Sequence, residues 1–153
     1  RKKVCRWHAH ETPAGALVIL TDTGPLVALL DADDSSHAAC VAAARSLPTG
    51  PLLTTWPCFT EAMYLLGEVG GYAYQSALWN LRTTGRVVLL NLTREEIDRM
   101  AALMEKYKDT PMDLADASLV AVAESRSLRR VFSIDSDFFI HRFSDGSALE
   151  VMR

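Results

Sequence analysis

The stretch LVILTDTGPLVALL, residues 17–30, decides the fold class of this chain. Its opening run, Leu17–Leu20, is short and apolar and contains β-branched residues, which predicts a buried strand. The strand ends at Asp22, and the Gly-Pro pair that follows allows a turn into a short helix. A buried strand that leads directly into a helix is typical of an α/β protein with parallel strands.

The remaining sequence repeats this alternation of strand and helix patterns. Further strands are predicted at residues 52–55, 86–92, 130–134 and 148–152. Helices are predicted at residues 37–46, from Pro57 to the glycines at 67, 70 and 71, and at 72–84, 93–107 and 113–126. Thr93 and Glu96 form a capping box for the helix predicted at residues 93–107. Right-handed β-α-β connections then imply a mostly parallel sheet covered on both faces.

Length and composition are those of one soluble globular domain. The 153 residues are 49% hydrophobic and 23% charged, which excludes disorder and disulfide-knotted miniproteins. With 16 basic and 19 acidic side chains, the net charge of −3 excludes a protein that coats nucleic acid through bulk positive charge. We place the domain at residues 16–153 and expect residues 1–15, which lack periodicity, to form a loosely ordered N-terminal tail.

The cysteines and the apolar runs predict a cytoplasmic protein. The three cysteines lie far apart, without the spacing of a metal site, which favours free thiols in a reducing compartment. No apolar run reaches the ~18 residues that a membrane span needs, so we expect no membrane association.

Acidic residues follow two of the predicted strands directly. Asp22 ends the first strand, and Asp135 ends the strand over residues 130–134, with Asp137 two positions later. Because the carboxyl ends of parallel strands meet at one edge of a sheet, these acids are expected to lie on the same edge.

Two further acids interrupt a helix that is otherwise apolar. Residues 112–123 are apolar around nearly the whole circumference, which predicts a buried helix. Asp113 and Asp116 lie three residues apart on one face of its first turn. Asp113 is an ordinary first-turn acid, but an unpaired charge at Asp116 is costly to bury and so indicates a function.

Glu61 completes the set of candidate acids. It is the only acid between Asp34 and Glu68, and apolar residues follow it along the predicted helix. Two carboxylates ~4 Å apart repel by roughly 4 kcal/mol at an effective dielectric constant of about 20. A group of such acids needs a cation, and oxygen ligands without histidine or cysteine select Mg²⁺ or Mn²⁺ over zinc. Such ions commonly assist phosphodiester cleavage.

Four motifs in order resemble the PIN domain family. The stretch LTDTGPLVALL, residues 20–30, resembles the opening strand and helix of PIN domains, and Glu61 falls where their second acid lies. The stretch PMDLADASLVA, residues 111–121, resembles the helix that carries the third acid, placed here at Asp116. The stretch VFSIDSDF, residues 131–138, resembles the closing signature. The resemblance covers residues 16–153.

The resemblance implies a three-layer α/β/α fold and metal-dependent ribonuclease activity, as in VapC-type toxins of toxin–antitoxin pairs. It implies that the catalytic and metal-binding acids are Asp22, Glu61, Asp116 and Asp135. Asp137 is implied as a weaker metal ligand, and the Ser133 hydroxyl is implied to orient an acid or the scissile phosphate. Asp113 is not a usual ligand in the family and ranks below the others as a supporting residue.

The implied partners are an RNA substrate, a cognate antitoxin protein and a second copy of the chain in a homodimer. Arginines are candidates for contacts with RNA phosphates, namely Arg82, Arg86, Arg126, Arg129, Arg130 and Arg142. A catalytically idle PIN-fold module that binds RNA or protein is the alternative. A receiver-like phospho-acceptor domain needs a lysine on a late strand, but no lysine follows Lys108. A dehalogenase-type phosphatase needs a second aspartate two residues after Asp22, but Gly24 occupies that position.

Overall fold

Five parallel strands form one sheet in the part of the chain that the structure describes. The structure is a computed structural model that describes residues 18–110, 112–135, 138 and 140–153. The predicted tail, residues 1–15, and Asp137 lie outside the described residues. The strands are β1 (Ile19–Thr21), β2 (Leu52–Thr55), β3 (Val87–Leu90), β4 (Arg130–Phe132) and β5 (Glu150–Met152), in the order β3-β2-β1-β4-β5. The predicted parallel sheet is therefore confirmed.

Helices cover both faces of this sheet. They are α1 (Thr23–Leu30), α2 (His37–Ser46), α3 (Trp56–Thr83), α4 (Arg94–Lys106) and α5 (Leu114–Ser125). Side chains of α1 and α3 form one apolar core around Leu26 and Phe59, and those of α4 and α5 form another around Leu103 and Leu119. Leu20 of β1 belongs to the second core, so the apolar strand lies beneath covering helices. The three-layer α/β/α arrangement is confirmed.

The long helix α3 continues past Gly67 and Gly70, where the sequence predicted that it would end. Gly67 and Gly70 stay helical, and the backbone leaves the helical region at Gly71 alone, with φ 64° and ψ −155°. After this kink the chain packs closely against the preceding turns. A Cβ atom at Gly70 would lie 2.0 Å from the Tyr74 ring, and one at Gly67 would lie 2.6 Å from Nε2 of Gln75. Gly71 therefore makes the break in the helix, whereas Gly67 and Gly70 allow the close approach of the segment that follows it.

The connections after the strands deliver acidic residues to one edge of the sheet. β1 ends at Thr21, and the next residue, Asp22, is the N-cap of α1. The strand β4 is shorter than predicted and ends at Phe132, so Ser133 and Asp135 lie in the loop beyond it. Asp113 is the N-cap of α5. None of the helices among the described residues combines the length and the apolar character that crossing a membrane requires.

Candidate metal centre

A cavity of about 350 Å³ lies at the carboxyl edge of the sheet. All four acids predicted as catalytic line this cavity, and so does Asp113. The full lining is Asp22, Thr23, Gly24, Glu61, Leu65, Asp113, Asp116, Ile134 and Asp135. Residues from α1, α3, the start of α5 and the loop after β4 thus meet at one place, although they are far apart in sequence.

Asp22 is buried and held by hydrogen bonds to both carboxylate oxygens. The backbone N–H of Thr23, the first residue of α1, donates to Oδ1 at 2.7 Å. The Ser133 hydroxyl donates to Oδ2 at 2.7 Å. Ser133 Oγ also accepts a hydrogen bond from the backbone N–H of Asp135 at 2.9 Å. Ser133 therefore connects Asp22 to the loop that carries Asp135.

Asp113 and Asp116 form a reciprocal capping box at the start of α5. The backbone N–H of Asp116 donates to Asp113 Oδ1 at 2.9 Å, and the backbone N–H of Asp113 donates to Asp116 Oδ2 at 3.4 Å. The two acids differ in exposure, because Asp113 is exposed whereas only 7% of Asp116 is accessible. Asp113 therefore shapes the helix start, and Asp116 is the acid enclosed by the fold.

Glu61 is half-buried in the second turn of α3 and is held from α1. The hydroxyl of Thr23 donates a hydrogen bond to Glu61 Oε2 at 2.7 Å. Sequence reasoning missed Thr23, and it also missed the apolar wall residues Leu65 and Ile134. The available signal for Thr23 was a hydroxyl directly after the first acid, but its partner on α3 is set by the fold.

Burial and mutual repulsion disfavour the charged forms of the two enclosed acids. Burial raises the pKa of Asp116 to about 7, with further increases from the nearby charges of Asp113 and Asp22. Burial also raises the pKa of Asp22 to about 6, against the lowering effect of its hydrogen bonds from Ser133 and Thr23. Within the described ranges, the ion pairs involve other acids and none neutralises Asp22 or Asp116. The site is therefore short of positive charge.

The donor set fits a hard divalent cation that keeps part of its water. Every charged group lining the cavity is a carboxylate, which is the ligand type of Mg²⁺ and Mn²⁺. Among the residues that the structure covers, no three acidic, histidine or cysteine side chains approach closely enough to enclose an ion unaided. Mg²⁺ is commonly bound through one or two carboxylates with waters in the other positions. An open cavity lined by acids matches that mode of binding.

Several candidate arginines lie away from this cavity. Arg86 directly precedes β3 and Arg130 begins β4, so both lie at the amino edge of the sheet, opposite the acids. Arg126 forms an ion pair with Glu96 at 2.8 Å. At the acidic edge, Arg153 follows β5, and its Nη2 atom donates to the backbone carbonyl of Asp135 at 3.5 Å. Positive charge at the acidic edge thus comes from a residue that the motifs did not indicate.

The raised pKa values predict an unusual dependence of stability on pH. A group that keeps its proton in the folded protein but loses it in the unfolded chain makes stability fall as pH rises. For Asp116 this interval runs from 3.8 to about 7, and for Asp22 from 3.8 to about 6. We therefore expect the melting temperature of chelator-treated protein to fall between pH 5 and pH 7, and to fall less steeply in Asp116→Asn. Equal slopes for the two proteins would contradict the assignment.

The chain belongs to the PIN domain family, whose model matches residues 19–143. It is similar to Ribonuclease VapC26 of Mycobacterium tuberculosis, with 28% identity over 125 residues that cover 79% of this chain and 89% of that protein. The family assignment agrees with the four motifs and with the sheet order described above.

Two solved structures share the fold at lower identity. VapC20 of Mycobacterium tuberculosis, described as a toxin that cleaves the sarcin-ricin loop, superposes with a TM-score of 0.74 at 20% identity, over 80% of this chain and 93% of that chain. A toxin–antitoxin complex from Klebsiella pneumoniae superposes with a TM-score of 0.60 at 21% identity, over 78% of this chain and 89% of that chain.

Proposed function

We propose that this protein is a metal-dependent endoribonuclease, the toxin of a toxin–antitoxin pair, that hydrolyses RNA phosphodiester bonds with Mg²⁺ or Mn²⁺. The observation that carries this proposal is the meeting of Asp22, Glu61, Asp116 and Asp135 around one cavity. Its support comes from membership of the PIN family and from similarity to a curated ribonuclease over most of the chain.

The four acids would bind the ion, and hydrogen bonds from neighbouring residues would position the acids. Asp22 and Asp116 would be the buried ligands, and Glu61 and Asp135 would add oxygens, directly or through water on the ion. Ser133 fixes Asp22, whereas Asp113 supports Asp116 through the capping box. Asp137 stays a predicted weaker ligand. A bound divalent ion supplies Lewis-acid stabilisation of the charge that develops on the phosphate and activates water for attack.

The proposal includes a cognate antitoxin, a homodimer and a cytoplasmic location. A protein that cuts RNA requires control in the cell that makes it, and one structural neighbour was solved as a toxin–antitoxin complex. Cys40 and Cys58 are buried free thiols, which fits a reducing compartment. Co-expression with the neighbouring open reading frames, followed by co-purification, tests for the antitoxin.

Cleavage of a mixed RNA pool tests the activity. The parent protein is expected to cut the pool in the presence of Mn²⁺, to stop in excess chelator and to resume when Mn²⁺ is restored. Asp22→Asn is expected to lose this cleavage, whereas Asp98→Asn, an exposed change on α4, keeps it. If Asp22→Asn cuts as fast as the parent, the assigned site is wrong. Calorimetry that detects no divalent-ion binding at millimolar concentration would favour the idle binding module instead.

A further inference from the structure

We propose that Thr23 is a positioning residue that holds the Glu61 carboxylate against the cavity, and that its hydroxyl thereby sets the affinity for the divalent ion. The inference rests on the proposed function, since it concerns the same site. It adds a residue that neither the motifs nor the acidic charges indicate.

The hydroxyl of Thr23 is committed to Glu61 by geometry. Thr23 is 6% exposed, and its Oγ1 atom lies 2.7 Å from Glu61 Oε2 and 3.4 Å from the Cys58 carbonyl oxygen. A hydroxyl has one proton to donate. The shorter contact is to a carboxylate, and hydrogen bonds to charged acceptors are roughly twice as strong as neutral ones. The Cys58 carbonyl lies inside α3, where helical N–H groups supply its partner.

Glu61 depends on this contact more than Asp22 depends on either of its two hydrogen bonds. Asp22 accepts two hydrogen bonds, and Asp116 takes part in the capping box. For Glu61, the bond from Thr23 is the single hydrogen bond found within the described residues. A glutamate has several rotatable bonds, and holding such a side chain in one conformation costs up to about 2 kcal/mol of entropy. Thr23 limits that cost when an ion binds because it fixes the carboxylate beforehand.

The contact also couples two walls of the cavity. Thr23 is the first residue of α1; its backbone N–H donates to the Asp22 carboxylate, and its side-chain hydroxyl donates to Glu61 of α3. One residue therefore sets the spacing of two acids that are 39 positions apart in sequence. Groups that orient metal ligands typically change metal affinity or activity by about 10- to 100-fold when they are removed.

Calorimetric titration of chelator-treated protein with Mn²⁺ tests the inference without RNA. Thr23→Val keeps the shape and removes the hydroxyl, and it is expected to weaken Mn²⁺ binding about 10-fold. Thr23→Ser restores the donor and is expected to bind Mn²⁺ like the parent. Thr54→Val is the matched control, because the buried Thr54 hydroxyl donates to the Thr21 carbonyl at 2.8 Å, with no carboxylate partner. It is expected to leave Mn²⁺ affinity unchanged.

A double-mutant cycle separates positioning of Glu61 from a general loss of structure. If Thr23 acts through Glu61, Thr23→Val weakens Mn²⁺ binding in the parent and has no further effect in Glu61→Ala, which removes the acceptor of the Thr23 hydroxyl. Equal Mn²⁺ affinity in Thr23→Val and Thr54→Val would overturn the inference, as would a full additional loss in the Glu61→Ala background. Thermal unfolding confirms that each variant is folded, and Thr23→Ala replaces Thr23→Val in the comparison if the valine variant does not fold.

The same titration distinguishes this inference from the proposed function. If Asp116→Asn loses Mn²⁺ binding while Thr23→Val binds like the parent, the metal site stands and the role of Thr23 is wrong. If Asp116→Asn binds Mn²⁺ as tightly as the parent, the proposed function itself fails.

Discussion

Asp116→Asn is expected to lower Mn²⁺-dependent RNA cleavage by about 1000-fold while making the metal-free protein more stable at pH 8. A metal ion stabilises the transition state by several kcal/mol, and each ~1.4 kcal/mol corresponds to a factor of ten in rate. Asparagine is nearly isosteric with aspartate but cannot supply a charged ligand. Burial and neighbouring acids raise the pKa of Asp116 to about 7. At pH 8 the side chain is therefore ionised, and its buried charge destabilises the metal-free folded protein. The neutral amide of asparagine removes this destabilisation.

Opposite effects on activity and stability distinguish a functional acid from a structural one. Single-turnover cleavage and thermal unfolding in chelator measure the two quantities. Asp113→Asn is the informative comparison, since asparagine caps helices as well as aspartate does and Asp113 is exposed. Its cleavage rate is expected to fall less than about 10-fold, the low end of the range for groups that support a metal ligand. If Asp116→Asn destabilises the protein and keeps the parent's cleavage rate, Asp116 has a structural role alone.

Arg126→Ala is expected to produce a large loss of stability although it lies away from the site. Arg126 donates to both carboxylate oxygens of Glu96, at 2.8 and 2.9 Å, and the Glu96 side chain is only 1% exposed. Burial alone raises the pKa of Glu96, but hydrogen bonds from Arg126, Ser125 and the Thr93 backbone lower it to about 2. Removing the arginine leaves a buried carboxylate without its counter-charge, which costs about 3 kcal/mol or more.

Unfolding of Arg126→Ala and Arg130→Ala at neutral pH checks this expectation. The Arg130–Glu150 pair is more exposed, at 33% and 59% of the two side chains, so its loss is expected to cost less than about 1 kcal/mol. For Arg126→Ala, the melting temperature is expected to fall by on the order of 10 °C. The lowered pKa of Glu96 means that its stabilising effect is present above pH 4.5 and disappears as pH falls through about 2. Equal losses in the two variants at neutral pH would show that the buried pair has no special role.

Local patterns predicted the elements and the acids, because each depends on neighbours in sequence. Asp22 is indicated by its position directly after an apolar strand, and Asp116 by the cost of burying a charge on an apolar helix. The capping box of Thr93 and Glu96 is present as predicted. The sequence did not reveal that Glu96 also receives Arg126, since that contact depends on how α4 packs against α5.

Contacts between distant elements account for what the sequence reasoning missed. Thr23 belongs to the site through an acid on α3, and no spacing rule connects the two residues. Gly67 and Gly70 are helical positions rather than helix ends, and a Cβ atom at Gly70 would overlap the Tyr74 ring, a contact that follows from the kink at Gly71. The candidate arginines were chosen by charge alone, whereas the topology puts Arg86 and Arg130 at the edge opposite the acids.

The position of Mn²⁺ in crystals of the protein, read from anomalous scattering, tests directly whether these acids form a metal centre. We expect a peak inside the cavity, with carboxylate oxygens of Asp22 and Asp116 about 2 Å from the ion, as is usual for small divalent ions with oxygen ligands. The same peak is expected to be absent from crystals of Asp116→Asn. Mn²⁺ bound elsewhere, together with an empty cavity in protein that cleaves RNA, would contradict the assignment of these acids as the metal centre.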